Sequence, residues 1–249
     1  MIKFFRHIRK DLMENNKTGK YLKYAAGEII LVVIGILLAI QVNNWNIERT
    51  DKDREAKYKT NIVLDLEKDL IRLDFLIEFR KIRVLGDQQL VKQMNGAPVD
   101  DLTELSKNVI NTLMEEPFLP NNSTFSELSS SGNLNLISND SIKLLLLELE
   151  ELYKLNHQYR IHEVFDYQEY ISKPVNHSVH IDQLFPIFMG TKTIKEQQIT
   201  FASFSALLEN KTYKNGLFIM SIMSSEYIKL FEKIREKSKK IINIIELRK

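Results

Sequence analysis

The stretch AAGEIILVVIGILLAIQVNNW, residues 25–45, decides how this chain is built. No charged residue occurs between positions 29 and 47, and the apolar centre covers 14 residues, 29–42. Length alone leaves a buried core helix, a signal-peptide core and a membrane span all open. The flanks favour a span. Ala25, Ala26 and Gly27 extend the centre at one end, and Asn43, Asn44 and Trp45 at the other. A helix over the whole stretch is about 30 Å long, the thickness of a bilayer's hydrocarbon core. Tyr21 and Tyr24 lie at one edge and Trp45 at the other, where amphipathic rings anchor at the interface. Small residues suited to signal cleavage are missing after the apolar core, so the stretch reads as an uncleaved signal anchor in contact with the lipid bilayer.

Working outward, residues 1–24 form a basic tail with seven Lys or Arg against two acidic residues. Carrying that tail across a membrane is costly, which predicts a cytoplasmic N-terminus and a large domain on the other side. Ile2, Phe5, Ile8 and Leu12 are spaced for one face of a basic amphipathic helix that could lie on an anionic leaflet. An ordinary basic tail that only sets topology is the equal alternative. Within the span, Glu28, Gly35, Ala39 and Val42 fall on one helical face. Small residues permit close approach and a carboxyl group in lipid seeks a partner, so this face is expected to pack on another helix. The occupant is either the chain's own copy, making a homo-oligomer, or a partner membrane protein.

Residues 46–249 are expected to form a helical domain. The chain has only 8 Gly and 5 Pro, too few for the many turns of an all-β protein. Val63, Leu70, Ile77, Val84 and Val91 repeat every seven residues. Leu66 and Leu73 supply a second seam position, which then passes to Arg80 and Asp87. Ile62, Phe75 and Leu76 widen the stripe beyond a two-stranded seam, which favours a bundle. Asn95, Gly96 and Pro98 should end this first helix. A second helix is predicted over 102–116, and a capping box at Thr124–Glu127 starts a short one ending near Gly132. A turn at Ser138, Asn139 and Asp140 opens a long helix to Ser172, with Ile142, Leu145, Leu149 and Leu152 buried. Residues 175–200 look least regular, 201–209 form a short helix, and a last helix covers 210–247. The fold class is therefore mainly α: an N-terminal transmembrane helix followed by an up-and-down bundle of three to four long helices.

Chemistry is sparse. A net charge of +2 argues against a nucleic-acid partner, and zero Cys excludes disulfides, thiolate metal sites and cysteine nucleophiles. No phosphate-binding glycine loop, G-x-S-x-G or HExxH occurs. His177 and His180, with Asp182, read as solvated loop residues. His157, His162 and Glu163 lie on the long helix without the second ExxH helix of a di-iron bundle. Glu148, Glu150 and Glu151 read as a solvated face, and Phe201, Phe204, Phe218 and Phe231 as core. No catalytic residue, metal or cofactor is assigned.

Three blocks carry a resemblance. MIKFFRHIR (1–9), GEIILVVIGI (27–36) with NNWN (43–46), and TFSELSSSG (124–132) with Leu134, Leu136 and Ile137 resemble a domain-of-unknown-function family of small membrane proteins from Bacteroidetes-type bacteria. The resemblance implies a bacterial inner-membrane protein with its C-terminal domain in the periplasm, and carries no assigned activity. The expected function is a membrane-anchored interaction module that binds a protein or envelope component. The alternative is a small-molecule sensor signalling through a partner membrane protein. An enzyme is not expected.

Overall fold

A computed structural model describes residues 18–247. Every regular element among them is helical. The basic amphipathic face of the tail lies outside the described residues. The chain divides into two compact units, Met1–Lys57 and Tyr58–Lys249.

Helix α1 covers Thr18–Met94. Its N-terminal part contains an 18-residue window of mean hydropathy 2.5, none of it buried. It is long and apolar enough to cross a membrane. The helix stops where expected: Gly96 takes φ +95°, and the N–H groups of Asn95, Gly96 and Ala97 close back on Val91, Gln93 and Lys92.

In the second unit the chain makes four passes. The part of α1 from Tyr58 onward is the first. The return limb holds α2 (Leu102–Leu113), α3 (Ser123–Ser130) and a 3₁₀ turn (Asn133–Leu136). The third pass is α4 (Asp140–Asp166), a π-helical stretch (Tyr167–Ser172) and α5 (Lys173–Ser178). After α6 (Ile181–Phe188), a 3₁₀ turn (Phe201–Phe204) and α7 (Ser205–Leu208), helix α8 (Lys211–Glu246) makes the fourth. Asn139 and Asn210 cap α4 and α8 by accepting from backbone N–H groups.

Two apolar cores lie along these passes. The first joins Leu66, Leu73 and Ile77 of α1 to Leu128, Leu149, Phe231 and Ile234. The second joins Leu90 to Ile110, Ile171, Phe204, Leu217 and Met220. The first and third passes meet them in the same order and α8 in the reverse order, which is the up-and-down arrangement.

Five local expectations are corrected. Thr124 does not cap: α3 begins at Ser123, and Thr124 instead donates through Oγ1 (2.6 Å) and its N–H (3.3 Å) to Asp65 of α1. Glu127 accepts from the Tyr58 hydroxyl at 2.8 Å rather than reaching back to the helix start. Helix α2 ends at Leu113, not at 116, because side chains from elsewhere take its last carbonyls. Arg83 donates to Thr112 and Met114, and Tyr167 to Leu113. The long third pass continues through Pro174 by widening to π-helix, with the Lys173 N–H reaching Gln168 five residues back. Of the four phenylalanines read as core, Phe204 and Phe231 are fully buried, whereas Phe201 and Phe218 are exposed. The stretch 175–200, expected to be irregular, holds the end of α5 and all of α6.

Candidate functional site

The residues predicted for the membrane helix lie along the N-terminal part of α1. The helical turn places Glu28, Gly35, Ala39 and Val42 on one face. A Cβ added at Gly35 would meet nothing within 4 Å, so that face is open for close approach. Tyr24 and Trp45 are both exposed, about 30 Å apart along the axis. The side chain of Tyr21 lies outside the described residues.

The second unit contains a feature whose partners the sequence did not reveal, a polar layer between the two apolar cores. Each of the three long helices contributes to it. From α1 come Arg80, Arg83 and Asp87, from α4 Glu163, and from α8 Ser224, all buried. Seam periodicity places the α1 residues inward, and Arg80 forms an ion pair and hydrogen bond with Glu163. The Arg80 guanidinium also lies over the Tyr227 ring, 4.2 Å from its centroid. Arg160 adds a second cation to Glu163 at 3.3 Å and pairs with Glu115 at 3.0 Å. Burial opposes the charge of Glu163, but the Arg80 hydrogen bond and the charges of Arg80, Arg83 and Arg160 outweigh it. They hold the carboxyl below its usual range.

The second pair in the layer is looser. Arg83 Nε and Asp87 Oδ2 are 3.9 Å apart, an ion pair too long for a hydrogen bond, and neither atom has another partner. Burial pushes both groups toward their neutral forms. It lowers the Arg83 pKa, and it raises the Asp87 carboxyl to about 7 against the attraction of Arg83 and Arg80. The folded state therefore holds a proton on Asp87 that the unfolded state releases above pH about 4. Stability falls as pH rises through this window, by up to about 1.4 kcal/mol per unit. Asp87→Asn is expected to unfold within about 1 kcal/mol of the wild type at pH 5 and to be about 2–4 kcal/mol more stable at pH 8. Urea titrations at the two pH values check this. Equal differences at both would rule out Asp87 as the titrating group.

A second polar cluster holds the return limb. Asp69 accepts from the backbone and side chain of Asn121 (2.9 and 2.7 Å) and from the Tyr153 hydroxyl (2.9 Å). Burial raises its carboxyl pKa despite those bonds. Next to it, a cavity of about 20 Å³ is lined by Asp65, Asn121, Thr124 and Tyr153, among others. That is room for about one water molecule. Aromatic contacts link the two clusters, running Tyr227, Phe231, Phe118, Tyr153.

The sequence-predicted polar residues do not converge. His177 bonds the Lys173 carbonyl on α5, and His180 and Asp182 are exposed at the start of α6, 4.0 Å apart. Among the described residues no group of three His, Asp or Glu is placed to hold a metal. Glu151 is exposed and Glu148 and Glu150 are half-buried; Glu148 pairs with Lys237. Glu163 is the one candidate that proves central, as the anion of the polar layer.

Fold and site together define a helical-bundle protein with a buried charged layer and an unburied apolar N-terminal helix. Residues 28–198 match a family of unknown function, DUF6090, and the chain belongs to that family. The match includes most of the apolar stretch and the TFSELSSSG block, and stops before α8. Searches of curated proteins and of solved structures found no match.

Proposed function

We propose that the protein is a membrane-anchored helical interaction module. Residues 25–45 cross a bacterial inner membrane once, the basic tail stays in the cytoplasm, and the bundle stands on the periplasmic side. The observation that carries this reading is the wholly unburied window of mean hydropathy 2.5 in α1. The second unit has two apolar cores of its own, so it has no need of this window for burial. Water would surround an 18-residue apolar surface at a cost of about 25 cal/mol per Å², which a bilayer removes. The direction rests on the excess of Lys and Arg in the tail. Tyr24 and Trp45 would mark the interfaces, and the face of Glu28, Gly35, Ala39 and Val42 would meet another helix in the bilayer.

Alkaline extraction of membranes and protease treatment of spheroplasts carrying a C-terminal tag test the anchor and its direction. The protein is expected to stay in the membrane pellet at high pH, and its tag to be digested in intact spheroplasts. Release into the supernatant would overturn the anchor, and a protected tag would overturn the direction.

A further inference from the structure

The last carbonyls of α2 are held from outside the helix, and one arginine of α1 takes two of the contacts. Arg83 donates through Nη1 to the Met114 carbonyl at 3.1 Å and through Nη2 to the Thr112 carbonyl at 3.2 Å. The Nε–H of the same guanidinium is left over. It is buried without a partner, 3.9 Å from the equally unpartnered Asp87 Oδ2 one turn further along α1. The gap is about 1 Å longer than a charged hydrogen bond. Two acceptors therefore compete for one fork. The return limb has it, and Asp87 does not.

We propose that Arg83 and Asp87 form a proton-operated latch on the return limb. With a proton on Asp87, no full charge pulls on Nε, and the fork stays on the Thr112 and Met114 carbonyls. When the Asp87 O–H bond breaks and its proton passes to solvent, the carboxylate draws Nε–H into a charge-assisted hydrogen bond. Asp87 is short and fixed close to its own helix, whereas Arg83 is long, so the guanidinium makes the move. It is planar and shifts as one piece by about 1 Å, more slack than its two carbonyl bonds possess. The end of α2 then loses these bonds to α1. The change stays local, because Tyr167 still donates to Leu113, Arg72 to Pro117 and Asn156 to Phe118.

The surroundings of Asp87 set where the change falls. Burial raises its carboxyl to about 7, against the attraction of Arg83 and Arg80 on its own helix. From α8 the Tyr213 hydroxyl feels its charge. Burial pushes that hydroxyl well above its ordinary value, so it stays neutral through this range. Tyr213 meets the Thr112 hydroxyl of α2 at 3.3 Å. Glu163 of α4 is engaged by Arg80 and acts on Arg83 rather than on Asp87. The latch lies wholly in the second unit and works whether or not α1 crosses a membrane. It goes beyond an anchoring role by giving the bundle two states set by the pH around it.

Hydrogen exchange of the full chain in detergent, read by mass spectrometry and corrected for the pH dependence of free amides, tests the latch. The amides at the end of α2, where the Met114 N–H closes on the Asn111 carbonyl, should lose about tenfold in protection between pH 5.5 and 8.5. Over the same exchange times, the buried turns of α4 between Leu145 and Tyr153 should take up no deuterium at either pH. Asp87→Asn keeps the shape of the carboxyl but cannot ionise, and should hold the low-pH protection at both values. Tyr167→Phe removes a different bond to the same helix end. It should lower protection there by one factor at both values and leave the pH response intact. An unchanged wild type would overturn the latch, as would an equal loss in Asp87→Asn. Exchange at the end of α2 that proceeds only together with that of α4 would also overturn it, since only general unfolding would then remain.

Discussion

Glu163→Ala is expected to lower the stability of the bundle by about 3–5 kcal/mol, because it leaves the Arg80 guanidinium buried without its anion. For a unit of this size that corresponds to a fall in Tm of roughly 10 °C. Arg80 is only 2 % exposed and is fixed over Tyr227, so it cannot swing out to water without dismantling the layer. Arg160 would lose one of its two carboxylates but keep Glu115. The cost belongs to the orphaned charge rather than to the pair itself, and this distinction can be measured. Arg80→Met combined with Glu163→Leu removes both charges and should recover most of the loss, since apolar replacement of a buried pair is often neutral. A double variant as unstable as Glu163→Ala would mean that the pair contributes net stability.

The second large effect is expected at Gly216, where α8 crosses the π-helical stretch. A Cβ there would lie 2.6 Å from both the Cβ and the carbonyl oxygen of Tyr170, and the neighbouring carbonyl carbon is 2.9 Å away. The proline explains why that carbonyl matters. Pro174, four residues on, has no N–H to give Tyr170 in the α-helical register, and its ring crowds the same oxygen. The widened helix then presents backbone to α8, and only a residue without a side chain fits. In an open helix interior Gly→Ala gains about 1 kcal/mol. Here Gly216→Ala should instead destabilise by about 2–3 kcal/mol, since overpacking must shift backbone. Gly86→Ala is the control. Its Cβ would meet only the tip of the Asn108 side chain, at 3.2 Å, which can move. It should be neutral or stabilising by up to about 1 kcal/mol. Urea unfolding of both variants checks the contrast, and equal effects would refute it.

The heptad in α1 placed Leu66, Leu73 and Ile77 in the core, and even its breaks were visible, because Arg80 and Asp87 stood where seam residues belong. What periodicity could not supply was the partner. Glu163 is 83 residues from Arg80, and no local motif ties the two together. A charge in a seam position is itself a signal of a buried ion pair, and a glutamate on the inward face of another long helix is where to look. The capping box at Thr124 failed for a related reason. The motif is satisfied by local bonds in isolation, but Asp65, 59 residues earlier, offers a charged acceptor that binds the hydroxyl better. Residue type suggests a core position for Phe218, but helical phase does not. It follows Leu217, which holds the inward position, so its ring points to solvent.

The polar layer also bears on the order in which the molecule can be completed during synthesis. Arg80 leaves the ribosome first and Glu163 next, and Tyr227, which covers the guanidinium, belongs to the last described helix. Until α8 emerges, Leu73, Ile77 and Leu149 lack the Phe231 and Ile234 side of their core. A chain still lacking α8 would thus expose a charged pair and half of an apolar core. Closure of the bundle is a late event, set by the 36-residue helix α8 rather than by the apolar N-terminal part of α1.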